Sequence, residues 1–319
     1  MAGALSALIV LGATRVAAAQ SGIVVEGAPD LILPTGARTL GMGQAAAATV
    51  SGAEALWWNP AAVARGPREI SGGFVSNVLL PATDVSVAFV YPIPKVMTVA
   101  LSIRYLNNGQ QPAVDTGGQT TGSFFPTSST IAATFAAPFG DRLNIGLNVK
   151  LLQVGFSCTG TCDLPGGTPL TGALDFGAQY AFTKDSLFAA GIAVRNVGLP
   201  LQVNDSPQAD PLPGRVDAGL AFTPRLTQYP GVHFTVAGDV VTRLNGEGGP
   251  GFRLGGEVSW LNQYFARAGY VAEGPNGSGP SFGVGITRGR WRVDFAQFVA
   301  AGEGAPGTKP TYFSLRYVF

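Results

Sequence analysis

The run Gly41-Met42-Gly43-Gln44-Ala45-Ala46 has the G-x-G-x-x-A spacing with which a dinucleotide-binding turn closes its backbone on a pyrophosphate. That chemistry needs a buried strand feeding the glycines. The preceding residues read APDLILPTGART from Ala28 to Thr39, where Pro29, Pro34 and Gly36 break any strand and Arg38 interrupts the apolar run. With 45 Gly in 319 residues the spacing also arises by chance, and no cofactor is expected. A second pattern, Gly279-Pro280-Ser281-Phe282-Gly283, has the G-x-S-x-G spacing of a nucleophile elbow, which requires a strand-to-helix turn and a histidine base. Here the serine opens a strand, and the single histidine, His233, has no nucleophile that the pattern sets beside it. No catalytic residue is assigned, and the chain is expected not to be an enzyme. The only cysteines, Cys158 and Cys162 in SCTGTC, lack co-ligands for a metal; in an exported protein they are expected to close a small disulfide loop.

The elements that would carry any chemistry follow from composition. Charged residues are 12% of the chain, where soluble domains hold about 25%. Mean hydropathy is positive at +0.26. Beyond the first 19 residues, however, no stretch approaches the roughly 18 consecutive apolar residues of a membrane-spanning helix. Met1 to Ala19 carries an apolar run ending in Ala17-Ala18-Ala19, as a secretory signal does, although no Lys or Arg precedes that run. The net charge of +1 gives nucleic acid no basic face to bind.

From Glu69 onward the chain has period two. Leu101, Ile103 and Tyr105 alternate with Ser102 and Arg104; Leu174, Phe176 and Tyr180 alternate with Asp175, Gly177 and Gln179; Phe252, Leu254 and Val258 alternate with Arg253, Gly255 and Glu257. Fourteen such segments are expected, near 69–79, 83–92, 95–107, 128–139, 143–156, 173–182, 187–197, 214–223, 232–242, 251–260, 264–272, 280–288, 291–300 and 310–319. Each is close to the ~9–11 residues of a tilted strand crossing a membrane, and in hydrocarbon such strands must close so that no backbone group stays unpaired. Connections after even-numbered segments are mostly short, as at Gly140–Arg142 and Gly289–Arg290, with Pro224–Gly231 the exception, and those after odd-numbered ones are mostly long, as at Asn108–Thr127. That asymmetry predicts an all-β, 14-stranded antiparallel barrel in the bacterial outer membrane. Replacing outward Leu147 or Leu220 by Arg is expected to cost roughly 2–4 kcal/mol, measurable as a lower urea midpoint in lipid vesicles. A change to Ser at inward Gly219 is expected to be mild.

Two stretches add a family resemblance. Gly36-Ala37-Arg38, Leu40-Gly41-Met42-Gly43 and Trp58-Asn59-Pro60-Ala61 resemble the amino-terminal signature of the PorV/PorQ family, relatives of the FadL-like barrels. LDFGAQYAFT at Leu174–Thr183, YFARAGY at Tyr264–Tyr270 and RWRVDFA at Arg290–Ala296 resemble that family's strands. The likeness implies that residues 20–68 form a hatch inside a barrel of residues 69–319, with Gly36, Arg38, Gly41, Gly43, Trp58, Asn59 and Pro60 as its motif. The last strand, TYFSLRYVF, puts Phe313, Leu315, Tyr317 and Phe319 on one face; it resembles the terminal signal that outer-membrane barrels present to the barrel assembly machinery.

The PorV/PorQ likeness implies a non-enzymatic partner of the type IX secretion system, engaging the translocon and cargo with a carboxy-terminal sorting domain. The FadL likeness implies instead a passive channel for apolar small molecules such as long-chain fatty acids. Phe124 and Phe125, in the longest outer loop, and Leu199 and Leu201 are expected to be exposed apolar tips that meet a partner or a ligand. The closeness of Gly36–Arg65 to the PorV/PorQ pattern, and a lumen of small and charged residues, favour the secretion role. In either case the first partner is outer-membrane lipid.

Overall fold

The computed structural model describes residues 26–76, 82–162, 168–183, 187–203, 209–245, 249–273, 277–299 and 309–319. The proposed signal, residues 20–25 of the expected hatch, and the expected strand ends at 77–79 and 300 lie outside them.

The segments of period two become strands: β1 (Glu69–Ser76), β2 (Thr83–Ile93), β3 (Met97–Asn107), β4 (Gln111–Val114), β5 (Thr120–Phe139), β6 (Leu143–Gly160), β7 (Leu170–Ala181), β8 (Phe188–Gly198), β9 (Arg215–Phe222), β10 (Val232–Arg243), β11 (Gly251–Trp260), β12 (Tyr264–Ala272), β13 (Gly279–Arg288), β14 (Trp291–Phe298) and β15 (Thr311–Val318). All pair antiparallel with their neighbours, β1 pairs with both β2 and β15, and β3 pairs with β5. The result is a closed 14-stranded barrel from which β4 alone departs. It pairs only with the outer part of β5, in the register Gln111↔Phe124.

Side-chain parity explains why the ring closes in a membrane. Val87, Leu101, Ile131, Leu220, Leu254 and Val284 point outward and are exposed, Leu220 by 63%. Such residues face lipid, where every strand's N–H and C=O groups must find a partner, and closure leaves no edge unpaired. Stacked or tilted aromatic pairs, Phe188–Phe222, Trp260–Tyr264 and Trp291–Tyr317, collect at the end with short turns. A girdle of this kind marks the membrane boundary, and the short-turn end faces the periplasm. No helix among the described residues is long and apolar enough to cross a membrane. The protein is a bacterial outer-membrane barrel.

The departures from the expected strands lie on the outer side. Residues 108–127 hold β4 and the first third of β5, so this longest connection is largely strand. β6 likewise continues to Gly160, pairing with β5 as far as Gly122↔Gly160. The added stretch, TTGSFFPT, puts Phe124 and Phe125 on opposite faces among polar and small residues, so it lacks the apolar alternation by which the membrane part is recognised. Cys158 and Cys162 are joined in a disulfide at the tip of this ribbon.

Candidate functional site

The lumen is occupied by the segment that precedes β1. Its first described residues lie at the outer end, where Glu26 holds Arg215 through both carboxylate oxygens at 2.6 and 2.7 Å. Its last lie at the periplasmic end, where Arg65 donates to the Gly140 carbonyl in the β5–β6 turn and to Asn144. Between them run one helical turn, α1 (Ala37–Gly41), and 3-10 turns at Pro29–Ile32, Gly52–Trp57 and Pro60–Val63. Proline at the start of the first and last of these turns, and small residues throughout, suit a path with little room for side chains.

Contact with the wall is made through backbone. A Cβ added at inward Gly146, Gly177, Gly191, Gly255 or Gly269 would collide with Pro60–Ala61, Asn59, Ala47, Met42 or Gly43, respectively. These wall glycines form a seat. Gly41 and Gly283 also approach each other closely, and Gly43 needs its φ of +61° in addition to space, because the Leu254 carbonyl abuts it. The expectation of a mild change at Gly219 is corrected: its Cβ would fall on the Asp239 carboxylate.

Hydrogen bonds then fix the seated backbone. Asp239 Oδ2 accepts from the Ala46 and Ala47 amides at 2.7 and 2.8 Å, and Ser281 Oγ accepts from the Gly43 amide at 3.1 Å. Ser281 is therefore buried against this segment. Asn59 Nδ2 donates to the carbonyls of Ala47, 2.8 Å away, and Ala178, 3.2 Å away, while Asn59 Oδ1 caps the turn that Pro60 begins. Trp58 donates its indole N–H to Thr35 and lies under the guanidinium groups of Arg195 and Arg253; Trp57 faces Arg104 and Lys150 in the same way. Gly36, at φ +90°, leaves room for the Glu54 carboxylate, which accepts from the Thr39 amide and hydroxyl.

The inward charges pair almost completely. Arg104 meets Asp84, Lys150 meets Asp175 at 2.6 Å, Asp217 takes both Arg195 and Arg253, and Arg38 from the inner segment joins Glu257, Arg267, Asp294 and Arg292. Parity in the strands placed each of these wall residues inward; which partner each would meet depends on register across strands, which a single strand's pattern does not contain. Asp84, Asp175 and Asp239 were missed as site residues, though their inward positions were legible.

Two cavities adjoin the inner segment. One, of about 40 Å³, lies between the inner segment and the wall, with Thr35, Arg38, Glu54, Arg292, Asp294 and Arg316 around it. Charged and hydroxyl side chains border it, and it has room for only a few waters. The other, of about 300 Å³, sits at the outer mouth, with Leu33, Leu106, Val154, Leu201 and Val203 as its apolar wall. Its floor is the turn at Pro29–Ile32, and the connection between β8 and β9 folds over it through the bridge Leu201↔Asp210. Burial raises the Asp30 carboxyl above its ordinary value, against the hydroxyl of Ser128 at 2.5 Å and the charge of Arg104.

This cavity revises the expected outer contacts. Leu199 is 72% exposed, as an apolar tip should be. Leu201 is 4% exposed and belongs to the cavity wall, because the connection turns inward after Pro200. Phe124 and Phe125 are not at a loop tip: they lie half-buried in β5, opposite Cys158 and Ser157. His233 is exposed in β10, opposite Ser259, and no group of three or more metal-ligating residues occurs among the described residues. Phe313, Leu315 and Phe319 are exposed on the outer face of the last strand.

No family model matches the chain, and no curated protein matches it. Solved structures do. The Pseudomonas putida toluene transporter TodX superposes with a TM-score of 0.59 at 12% identity, over 90% of this chain and 99% of that one. The CymD monoaromatic hydrocarbon channel gives 0.57 at 13% identity, over 90% and 98%. A Pseudomonas aeruginosa FadL homologue gives 0.53 at 12% identity, over 94% and 100%. At these identities the likeness establishes the fold.

Proposed function

We propose that the protein is a passive channel through which apolar small molecules cross the outer membrane, with the inner segment as its hatch. The observation that carries this is the apolar cavity of about 300 Å³ at the outer mouth, within the range of small-molecule sites and floored by the hatch itself. A molecule held there touches Leu33 of the hatch and Leu106, Val154 and Leu201 of the wall and its connection. Passage then requires the hatch to leave its glycine seat. The solved structures of this fold named as toluene, monoaromatic hydrocarbon and FadL-type proteins support the same reading.

The type IX secretion role rests on the sequence resemblance of Gly36–Arg65. Those residues are engaged with the barrel's own wall: Gly43 with Ser281, Arg38 with Glu257, Asn59 with Ala178. A plug of either function needs such contacts, so the motif does not favour a partner protein. The test is a deletion strain assayed both ways. Uptake of labelled apolar hydrocarbons should fall while sorting-domain cargo still reaches the surface. Retained uptake with cargo trapped in the periplasm would reverse the assignment.

A further inference from the structure

We infer that the outer cavity selects apolar molecules bearing a protonated amine and turns carboxylates away, an inference that rests on the channel reading above. Three carboxylates border the cavity, Glu26, Asp30 and Asp210, and no lysine or arginine does. Glu26 is neutralised by Arg215. Asp30 and Asp210 form no ion pair among the described residues, although Asp30 accepts from the Ser128 hydroxyl. The cation nearest Asp30 is Arg104; its Nη1 donates to the carbonyls of Asp30 and Leu33, and its remaining nitrogens are held by Asp84.

The consequence is one of sign. A carboxylate whose hydrocarbon tail entered the apolar wall would bring its charge beside two carboxylates, with no cation to receive it. An ammonium in the same place would donate charge-assisted hydrogen bonds to Asp30 and Asp210. Asn108 and Thr127 on the rim add polar contacts for its remaining protons. Neutral hydrocarbons fit the apolar wall but gain nothing from the acids. A fatty acid is thus disfavoured at this mouth, and a lipophilic amine is favoured.

Three probes of one shape separate these outcomes: 2-phenylethylammonium, 3-phenylpropionate and ethylbenzene, titrated calorimetrically into the full-length protein in mild detergent at neutral pH. The ammonium should bind at least about tenfold more tightly than the carboxylate, a difference of about 1.4 kcal/mol. In the Asp30→Asn/Asp210→Asn double variant that ratio should collapse to within about threefold. If the double variant loses the heat-modifiable mobility of a folded barrel, Asp210→Asn alone should narrow the ratio by at least about threefold. Equal affinity for the two ions, or a ratio that survives the substitutions, overturns the inference while ethylbenzene binding keeps the channel reading intact. Failure of all three probes to bind removes both.

Discussion

The inner segment is held in two different ways along its length. From Gly36 to Ala64 it is pressed against the barrel, with wall glycines under Met42–Gly43, Ala47 and Asn59–Ala61 and wall side chains bonded to the Ala37, Gly43, Ala46, Ala47 and Ala53 amides. From Glu26 to Leu33 it rests on an apolar cluster, Ala28 and Leu31 against Leu152, Ala173, Leu201 and Leu212, and leaves a cavity beside it. Apart from the small cavity beside Glu54, close packing there admits no ligand, whereas the outer part has space and side chains that can rearrange. A molecule can therefore be accepted at the mouth without disturbing the centre, and binding and passage are separate events.

The sharpest way to break this contrast is to add bulk at the seat. Gly191→Leu puts a side chain where the Ala47 carbonyl lies, so the segment should be expelled and the barrel should conduct ions steadily in a planar bilayer. A closed, silent barrel would mean that the wall yields instead. Next in size is Asp217→Ala. It strips two buried arginines of their shared partner and should cost about 3–5 kcal/mol in urea unfolding followed by tryptophan fluorescence.

At the outer end the same logic predicts a smaller effect. Leu201→Ala should cost about 2 kcal/mol, the low end for a buried leucine, because it enlarges an existing space; it should also weaken binding of an apolar probe. The smallest effect concerns pH. Burial raises the Asp30 carboxyl in the folded protein, with Ser128, Arg104 and Asp84 around it, so the folded state holds this proton more tightly than the unfolded chain. Its contribution is present in full below the unfolded value of 3.8 and is lost as pH rises through the raised one. As pH rises above 3.8 the urea midpoint of the wild type should fall relative to that of Asp30→Asn. Parallel curves would show that the carboxyl is solvated.

The barrel was legible in the sequence and its interior contacts were not. β11 and β12 follow their expected limits, 251–260 and 264–272, because lipid demands an apolar residue at every second position and the lumen does not. β4 escaped notice since Gln111-Pro112-Ala113-Val114 stands outside the membrane, where that demand lapses. The glycines of the seat were visible as small inward residues, but what each faces is set by a segment with no repeating period, only short turns. Leu201 shows the limit most clearly. As a residue beside Pro200 in a long connection it had the marks of an exposed tip, and only the fold of the connection over Ala28 buries it.

The inner segment touches the wall around the whole ring: β5 to β8 through its last turn and the glycines Gly146, Gly177 and Gly191; β9 to β14 through Ala221, Asp239, Gly255, Gly269, Ser281 and the strand beside α1; and β15 to β3 through Ser314, bonded by the Ala37 amide at 2.9 Å, Glu69, bonded by the Ala53 amide at 2.6 Å, and the turn at Gly52–Trp57. An empty ring of strands can flatten into an ellipse under lateral pressure from the bilayer, but one braced from within around its circumference keeps its cross-section, so the segment is a strut as well as a stopper. Withdrawing it changes the shape of the tube along with its bore, and the roundness of the barrel becomes a property of its contents.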